Sequence, residues 1–140
     1  MEEQETAGKG KVNDQMEGYP CPKVGDLLNK RYTVSKKVGK GVFGCVLLAK
    51  DISNQPVAIK MMRTDLDIMK ISAERELILE SLNKADPKDD HHLLRLNDKF
   101  LYGGHLSLVY EVLDKNMREV LDERGFCIGL RLREVHRYAR

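Results

Sequence analysis

The sequence predicts an α+β fold: a five-stranded antiparallel sheet with one helix between its third and fourth strands, then short helices. Three observations predict it. Apolar residues recur with a period near two from Tyr32 onward. One longer stretch, Asp65 to Lys84, changes to helical spacing. Glycines and short polar clusters separate the segments at hairpin distance.

Each element has its own local reason. Residues 1–22 are polar and lack periodicity, which predicts a disordered tail ending at Tyr19, Pro20 and Pro22. Val24, Leu27 and Leu28 form a small apolar patch before Arg31. Tyr32, Val34 and Val38 occupy even positions, as in a half-buried strand. A glycine turn follows, and Val46-Leu47-Leu48-Ala49 returns. Asp51-Ile52-Ser53-Asn54 is a turn. Pro56 to Met62 is the third strand, with its proline at the start, where a missing N–H does least harm. In the helix, Ile68, Ile71, Ile78, Leu79 and Leu82 make the apolar stripe, and Asp65 and Asp67 suit its positive N-terminal end. Asp86-Pro87 breaks it. Leu93 to Leu101 and Leu106 to Val112 are two strands joined at Gly103-Gly104. Asn116 to Arg124 is a short helix stopped by Gly125, and Leu130 to Arg140 starts another.

Composition narrows the function classes. Of 140 residues, 41% are hydrophobic and 33% charged, a globular balance. The net charge of +2 is too small to argue for direct nucleic-acid or membrane binding. Cys21, Cys45 and Cys127 form no C-x-x-C pair and have no zinc spacing with the histidines, so no metal site is expected and free thiols fit a reducing compartment. No apolar run approaches the roughly 18 residues of a membrane span. The acidic start Met1-Glu2-Glu3 is no signal peptide.

The chemistry concentrates between Gly39 and Lys60. Gly39-Lys40-Gly41-Val42-Phe43-Gly44-Cys45-Val46 reads G-x-G-x-x-G-x-V, and Val57-Ala58-Ile59-Lys60 follows one strand later. Together these resemble the glycine-rich loop and strand lysine of protein kinases. Glycines let backbone N–H groups approach phosphate charge without Cβ obstruction. Phe43 stands at the tip, Val46 and Ala58 would cover one face of an adenine, and Lys60 would reach the α and β phosphates. The alternative for the glycines alone is a tight hairpin turn.

An active kinase also pairs that lysine with a helix glutamate. Two candidates stay open. The stripe centres the inner face near Arg75, and at about 100° per residue Glu74 lies nearer to it than Glu76. Arg75-Glu76-Leu77, however, resembles the phrase that carries this glutamate in many kinases. The strand Leu106 to Tyr110, ending in Glu111-Val112-Leu113, resembles the kinase hinge. That likeness makes Tyr110 the gatekeeper and assigns the Glu111 carbonyl and Leu113 N–H to the adenine edge.

Further phrases narrow the resemblance: Gly25-Asp26-Leu27-Leu28-Asn29-Lys30-Arg31-Tyr32, Leu82-Asn83-Lys84-Ala85-Asp86-Pro87, His105 to Glu111, and Asn116 to Leu121. Over residues 17–140 the chain resembles a CMGC-group Ser/Thr protein kinase of the pre-mRNA-processing type, near the DYRK and LAMMER kinases. The resemblance implies a small lobe over 23–113, with the hinge, and the start of a truncated large lobe over 114–140. It implies ATP and Mg²⁺ as cofactors, a Ser/Thr protein substrate and spliceosomal partners; the address is nucleus or cytoplasm, and the resemblance favours the nucleus. The catalytic loop and D-F-G segment do not occur among the 140 residues, so the metal ligands are expected beyond Arg140 and the chain alone is expected to be inactive. Arg75 departs from the family pattern, where a glutamate stands.

Two other classes compete. A non-catalytic kinase-like binding module fits the missing catalytic groups. A dinucleotide-binding domain fits the glycine fingerprint, with Asp65 as its ribose acid, but needs a complete helix between Cys45 and Gln55.

Overall fold

A computed structural model describes residues 18–20, 22–125 and 128–139. Its strands are β1 (Leu27–Leu28), β2 (Tyr32–Gly41), β3 (Gly44–Lys50), β4 (Pro56–Met62), β5 (Leu96–Tyr102) and β6 (His105–Tyr110). Its helices are α1 (Leu66–Ala85), α2 (Met117–Arg124) and α3 (Leu132–Tyr138). All strand pairs are antiparallel, in the order β1-β2-β3-β4-β6-β5. The expected five strands and single sheet helix are present, and the apolar patch before Arg31 adds the two-residue β1. The interval after Gly44 is a strand rather than a helix, which removes the dinucleotide reading.

Strand alternation divides the sheet into a sealed face and a half-open one. Leu47, Ala49, Val57, Ile59, Met61 and Val109 are buried on one side, together with Leu28, Tyr32, Val34 and Phe100. The residues between them, Val46, Leu48, Ala58, Lys60 and Tyr110, face the other side and are only half-buried. Each fully buried aliphatic side chain on the sealed face is worth about 1.5–3 kcal/mol. Tyr32 closes that core: its hydroxyl donates to Asp98 Oδ2 at 2.7 Å and its ring stacks on Phe100 at 5.7 Å. Burial, then the Asp98 bond, pushes its phenol up to about 12.

Two expectations shift. Val38 was expected inward but is 56% exposed. Irregularities in the β2–β3 register between Val34 and Lys36, and between Lys37 and Gly39, re-aim its side chain. The helix α1 buries Ile68, Ser72 and Glu76, whereas Ile71, Ile78 and Leu82 of the expected stripe are exposed. Polar anchors at the C-terminal end fix this rotation. Asn83 donates to the Leu94 carbonyl and accepts from the Leu96 N–H, both at 3.0 Å. Asp86 accepts from the Asp90 and His91 amides at 3.0 Å. At the other end, Asp65 caps the helix through the Asp67 and Ile68 amides.

Asn116 caps α2 in a reciprocal arrangement with Glu119. An Arg124–Glu134 ion pair links α2 to α3, and neither helix has a buried residue. The expected tail over 1–22 lies, for residues 1–17 and 21, outside the described residues. Pro20 and Pro22 are buried.

Candidate functional site

The half-open face of the sheet collects most of the residues singled out above. Val46 pairs with Lys60, Lys60 with Leu108, and Ala58 with Tyr110, so these side chains stand on one surface across three strands. The two-residue strand period that seals the opposite core does this automatically.

The glycine hairpin covers one end of that surface, and its three glycines differ. A Cβ on Gly44 would come within 1.9 Å of the Met61 carbonyl oxygen, and φ there is +152°. Gly44 is therefore needed by the fold, which brings two backbones together. A Cβ on Gly39 or Gly41 would meet nothing within 4 Å. The fold makes no demand for glycine at those two positions, and the open space suits close approach of a polyphosphate. Lys40 and Val42 flank them, both exposed.

Beneath the hairpin tip lies a cavity of about 100 Å³ between the sheet and α1. Phe43, Lys60, Ser72, Arg75, Glu76 and Tyr110 are among its walls. It is too small for a whole nucleotide, for which several hundred Å³ is usual. The Phe43 ring centroid lies 5.5 Å from Lys60 Nζ and 4.9 Å from Arg75 Cζ, so two cations converge on one ring. Neither cation has an ion-pair partner among the described residues. A larger cavity of about 250 Å³ involves Cys45 and Leu47, whose side chains point away from Val46 and Lys60. It shares Gly39 and Lys40 with the hairpin but lies on the face opposite Lys60.

Of the two candidate glutamates, Glu74 is exposed and Glu76 is buried against the same cavity as Lys60. In this structure Glu76 pairs with Lys99 Nζ at 2.6 Å, and Glu80 joins at 2.8 Å. Glu76, then Glu80, raises the Lys99 pKa, and the Lys99 bond lowers that of Glu80. Burial first, and the Glu76 charge second, raises the Tyr110 phenol.

Lys99 was not foreseen, although its place was readable. Gly103 and Gly104 both have positive φ, as a two-residue hairpin turn demands. Counting outward from that turn pairs Lys99 with Leu108, hence in one row with Lys60.

The hinge candidates follow β6. The Glu111 N–H donates to the Arg95 carbonyl at 3.3 Å, and its Oε1 accepts from the Arg95 N–H at 3.0 Å. Among the described residues, the Glu111 carbonyl and the Leu113 N–H make no backbone hydrogen bond. They are the acceptor and donor expected to meet an adenine edge. No group of His, Cys, Asp and Glu among the described residues is arranged to hold a metal ion. No helix is long and apolar enough to cross a membrane.

Comparison with known proteins decides the family. The chain is 35% identical over 127 residues to the serine/threonine-protein kinase prp4 of Schizosaccharomyces pombe, an alignment covering 90% of this chain. The chain is a protein-kinase homologue. It carries a kinase small lobe and the first helices of a large lobe, and these relatives agree with the CMGC resemblance drawn from its motifs. The serine/threonine-protein kinase ppk15 of the same yeast is 37% identical over 122 residues, 83% of this chain. The dual specificity protein kinase YAK1 of Saccharomyces cerevisiae is 32% identical over 121 residues, 85% of this chain. The matched region spans 27%, 23% and 15% of the lengths of prp4, ppk15 and YAK1 respectively, so the chain corresponds to a minor part of each kinase. No protein-family profile matches it.

Proposed function

We propose that this chain forms the ATP-holding part of a serine/threonine protein kinase, which transfers the ATP γ-phosphate to protein hydroxyls. One observation carries the reading. Val46, Ala58, Lys60 and Tyr110 share a half-open face under a hairpin whose first two glycines have nothing in front of them. Residues 23–113 serve as the small lobe with its hinge, and 114–140 begin the large lobe. Val46 and Ala58 cover the adenine ring, Tyr110 limits the depth of its pocket, and the Glu111 carbonyl and Leu113 N–H read its edge.

Gly39, Lys40, Gly41, Val42, Phe43 and Gly44 form the flap over the phosphates, and Lys60 supplies charge to them. The cations around Phe43 suit that polyphosphate. Burial favours Glu76 over Glu74 as the residue that orients Lys60. Mg²⁺, when bound, neutralises charge on the transferring phosphoryl group; its ligands are proposed to come from outside this chain. The likeness to pre-mRNA-processing kinases directs the search for protein substrates to the spliceosome and for the protein itself to the nucleus.

The test uses the kinase that contains this segment. Lys60→Met is expected to lower phosphoryl transfer at least 100-fold, while thermal stability changes by less than about 1 kcal/mol, because Lys60 is half-buried and unpaired. Turnover near that of the unaltered kinase overturns the assignment. The second reading, a non-catalytic kinase-like module, is favoured by Arg75 beside Lys60 and by the engagement of Glu76 with Lys99. ATP binding without any Lys60-dependent transfer supports it.

A further inference from the structure

The segment before β1 crosses the outer side of the glycine hairpin, away from Lys60, and the nucleotide chemistry above makes no use of it. Its path is tightly specified. The Thr64 N–H donates to the Gly18 carbonyl at 3.0 Å, and Thr64 Oγ1 donates to it at 3.4 Å. Gly18 has φ +71°, and a Cβ there would lie 2.6 Å from Thr64 Oγ1, so any other residue would be strained and would displace the threonine hydroxyl. The next residue reaches the hairpin itself. The Tyr19 hydroxyl donates to the Gly41 carbonyl at 2.9 Å. Its ring receives Lys40 Nζ at 3.9 Å and Arg63 Cζ at 4.6 Å from the centroid. Arg63 also holds the hairpin tip: its backbone N–H donates to the Phe43 carbonyl at 2.9 Å, and its Nη1 donates to the Val42 carbonyl at 3.5 Å.

We infer that Tyr19 is a positioning residue: residues 18–20 strap the glycine hairpin from outside and set its height over the phosphate site. The inference rests on the nucleotide reading of that site, but its structural half stands without it. A hairpin with two glycines facing open space has little side-chain packing of its own to fix it. The strap supplies a hydrogen bond at Gly41 and cationic contacts on both sides of the tip. Because it lies on the face opposite Lys60, it constrains the flap without entering the nucleotide's space.

The experiment uses the kinase that contains this segment and compares it unaltered with Tyr19→Phe, which keeps the ring but loses the hydroxyl bond, and Tyr19→Ala, which loses both. Amide hydrogen exchange is followed at Lys40 to Cys45, with the β5–β6 turn at Gly103-Gly104 as internal reference. Binding of a fluorescent ATP analogue and the thermal midpoint are measured alongside. Tyr19→Ala is expected to speed exchange at Lys40 to Cys45 about tenfold, and Tyr19→Phe by a smaller factor, as loss of a hydrogen bond plus ring contacts requires. The reference turn and the midpoint should hold, and analogue affinity should fall several-fold in the same order. Unchanged exchange at the glycine hairpin overturns the strap, as does an equal rise in both hairpins. Faster exchange with unaltered analogue affinity overturns the positioning role. If the unaltered kinase binds no analogue, the nucleotide reading fails, and exchange alone still decides whether Tyr19 holds the hairpin.

Discussion

Gly41 and Gly44 have the same side chain for opposite reasons. Gly44 answers to the Met61 carbonyl behind it, Gly41 to the empty space in front of it. Substitution should separate the two. Gly44→Ala is expected to cost more than about 2 kcal/mol, since a backbone must move to admit the methyl group. Gly41→Ala should leave stability within about 1 kcal/mol but weaken nucleotide binding roughly tenfold or more, because the methyl group occupies the phosphate's approach. Thermal unfolding and nucleotide titration of both variants check this, and equal losses of stability would contradict it. The glycine spacing was plain in the sequence. Which glycine serves the fold was not, because that depends on how closely β4 approaches the hairpin.

At the scale of the element, α1 shows how polar side chains overrule an apolar stripe. Counting apolar residues centred the inner face near Arg75. Asn83 instead pins the last turn to the start of β5, Asp86 holds the loop at Asp90 and His91, and the helix turns Ile68, Ser72 and Glu76 inward. Glu76 thereby faces Lys60 and Lys99, which flank Leu108 in one row of adjacent strands spaced about 4.8 Å apart. In the kinase containing this segment, Glu76→Gln is expected to reduce transfer at least tenfold, and Glu74→Gln less than twofold. Steady-state rates on a Ser/Thr peptide measure it, and the reverse order would show that α1 is used differently.

The end of α1 also predicts a pH response. Burial pushes the Asp86 carboxyl up, but hydrogen bonds from His91 and Asp90 outweigh it and leave its pKa below the usual value. A lowered folded-state pKa adds stability above the unfolded value, and that stability is lost as pH falls through the folded one. The chain should therefore lose stability below about pH 4. Asp86→Asn should be less stable than the unaltered chain at neutral pH, with a shallower decline on acidification. Denaturant midpoints measured from pH 3 to 7 test the difference.

For the whole molecule, the sealed core and the later helices contrast. Leu28, Leu47, Ile59 and Val109 are fully enclosed, whereas Leu113, Ile128, Leu132 and Tyr138 are 66%, 69%, 85% and 55% exposed. Apolar surface gathered on α2, α3 and their flanks promotes association. The isolated 140-residue chain is expected to form concentration-dependent oligomers and to phosphorylate no generic Ser/Thr substrate. Light scattering across a dilution series and a Mg·ATP transfer assay check both. A stable monomer with Lys60-dependent turnover would overturn the expectation.

The sequence by itself determined the α+β class, the order of the elements, the glycine hairpin and the strand that carries Lys60. These depend on nearest neighbours: a two-residue period, a turn, a cap, a run of glycines. It also contained the Lys99 register, legible from the Gly103-Gly104 turn. The tertiary structure decided which face of α1 turns inward, that Glu76 is buried and engaged by Lys99, that Arg75 joins Lys60 around Phe43, and that Tyr19 crosses the hairpin. These contacts join residues tens of positions apart. Their energies depend on how a curled sheet brings separate strands and the preceding segment together, which no local pattern encodes.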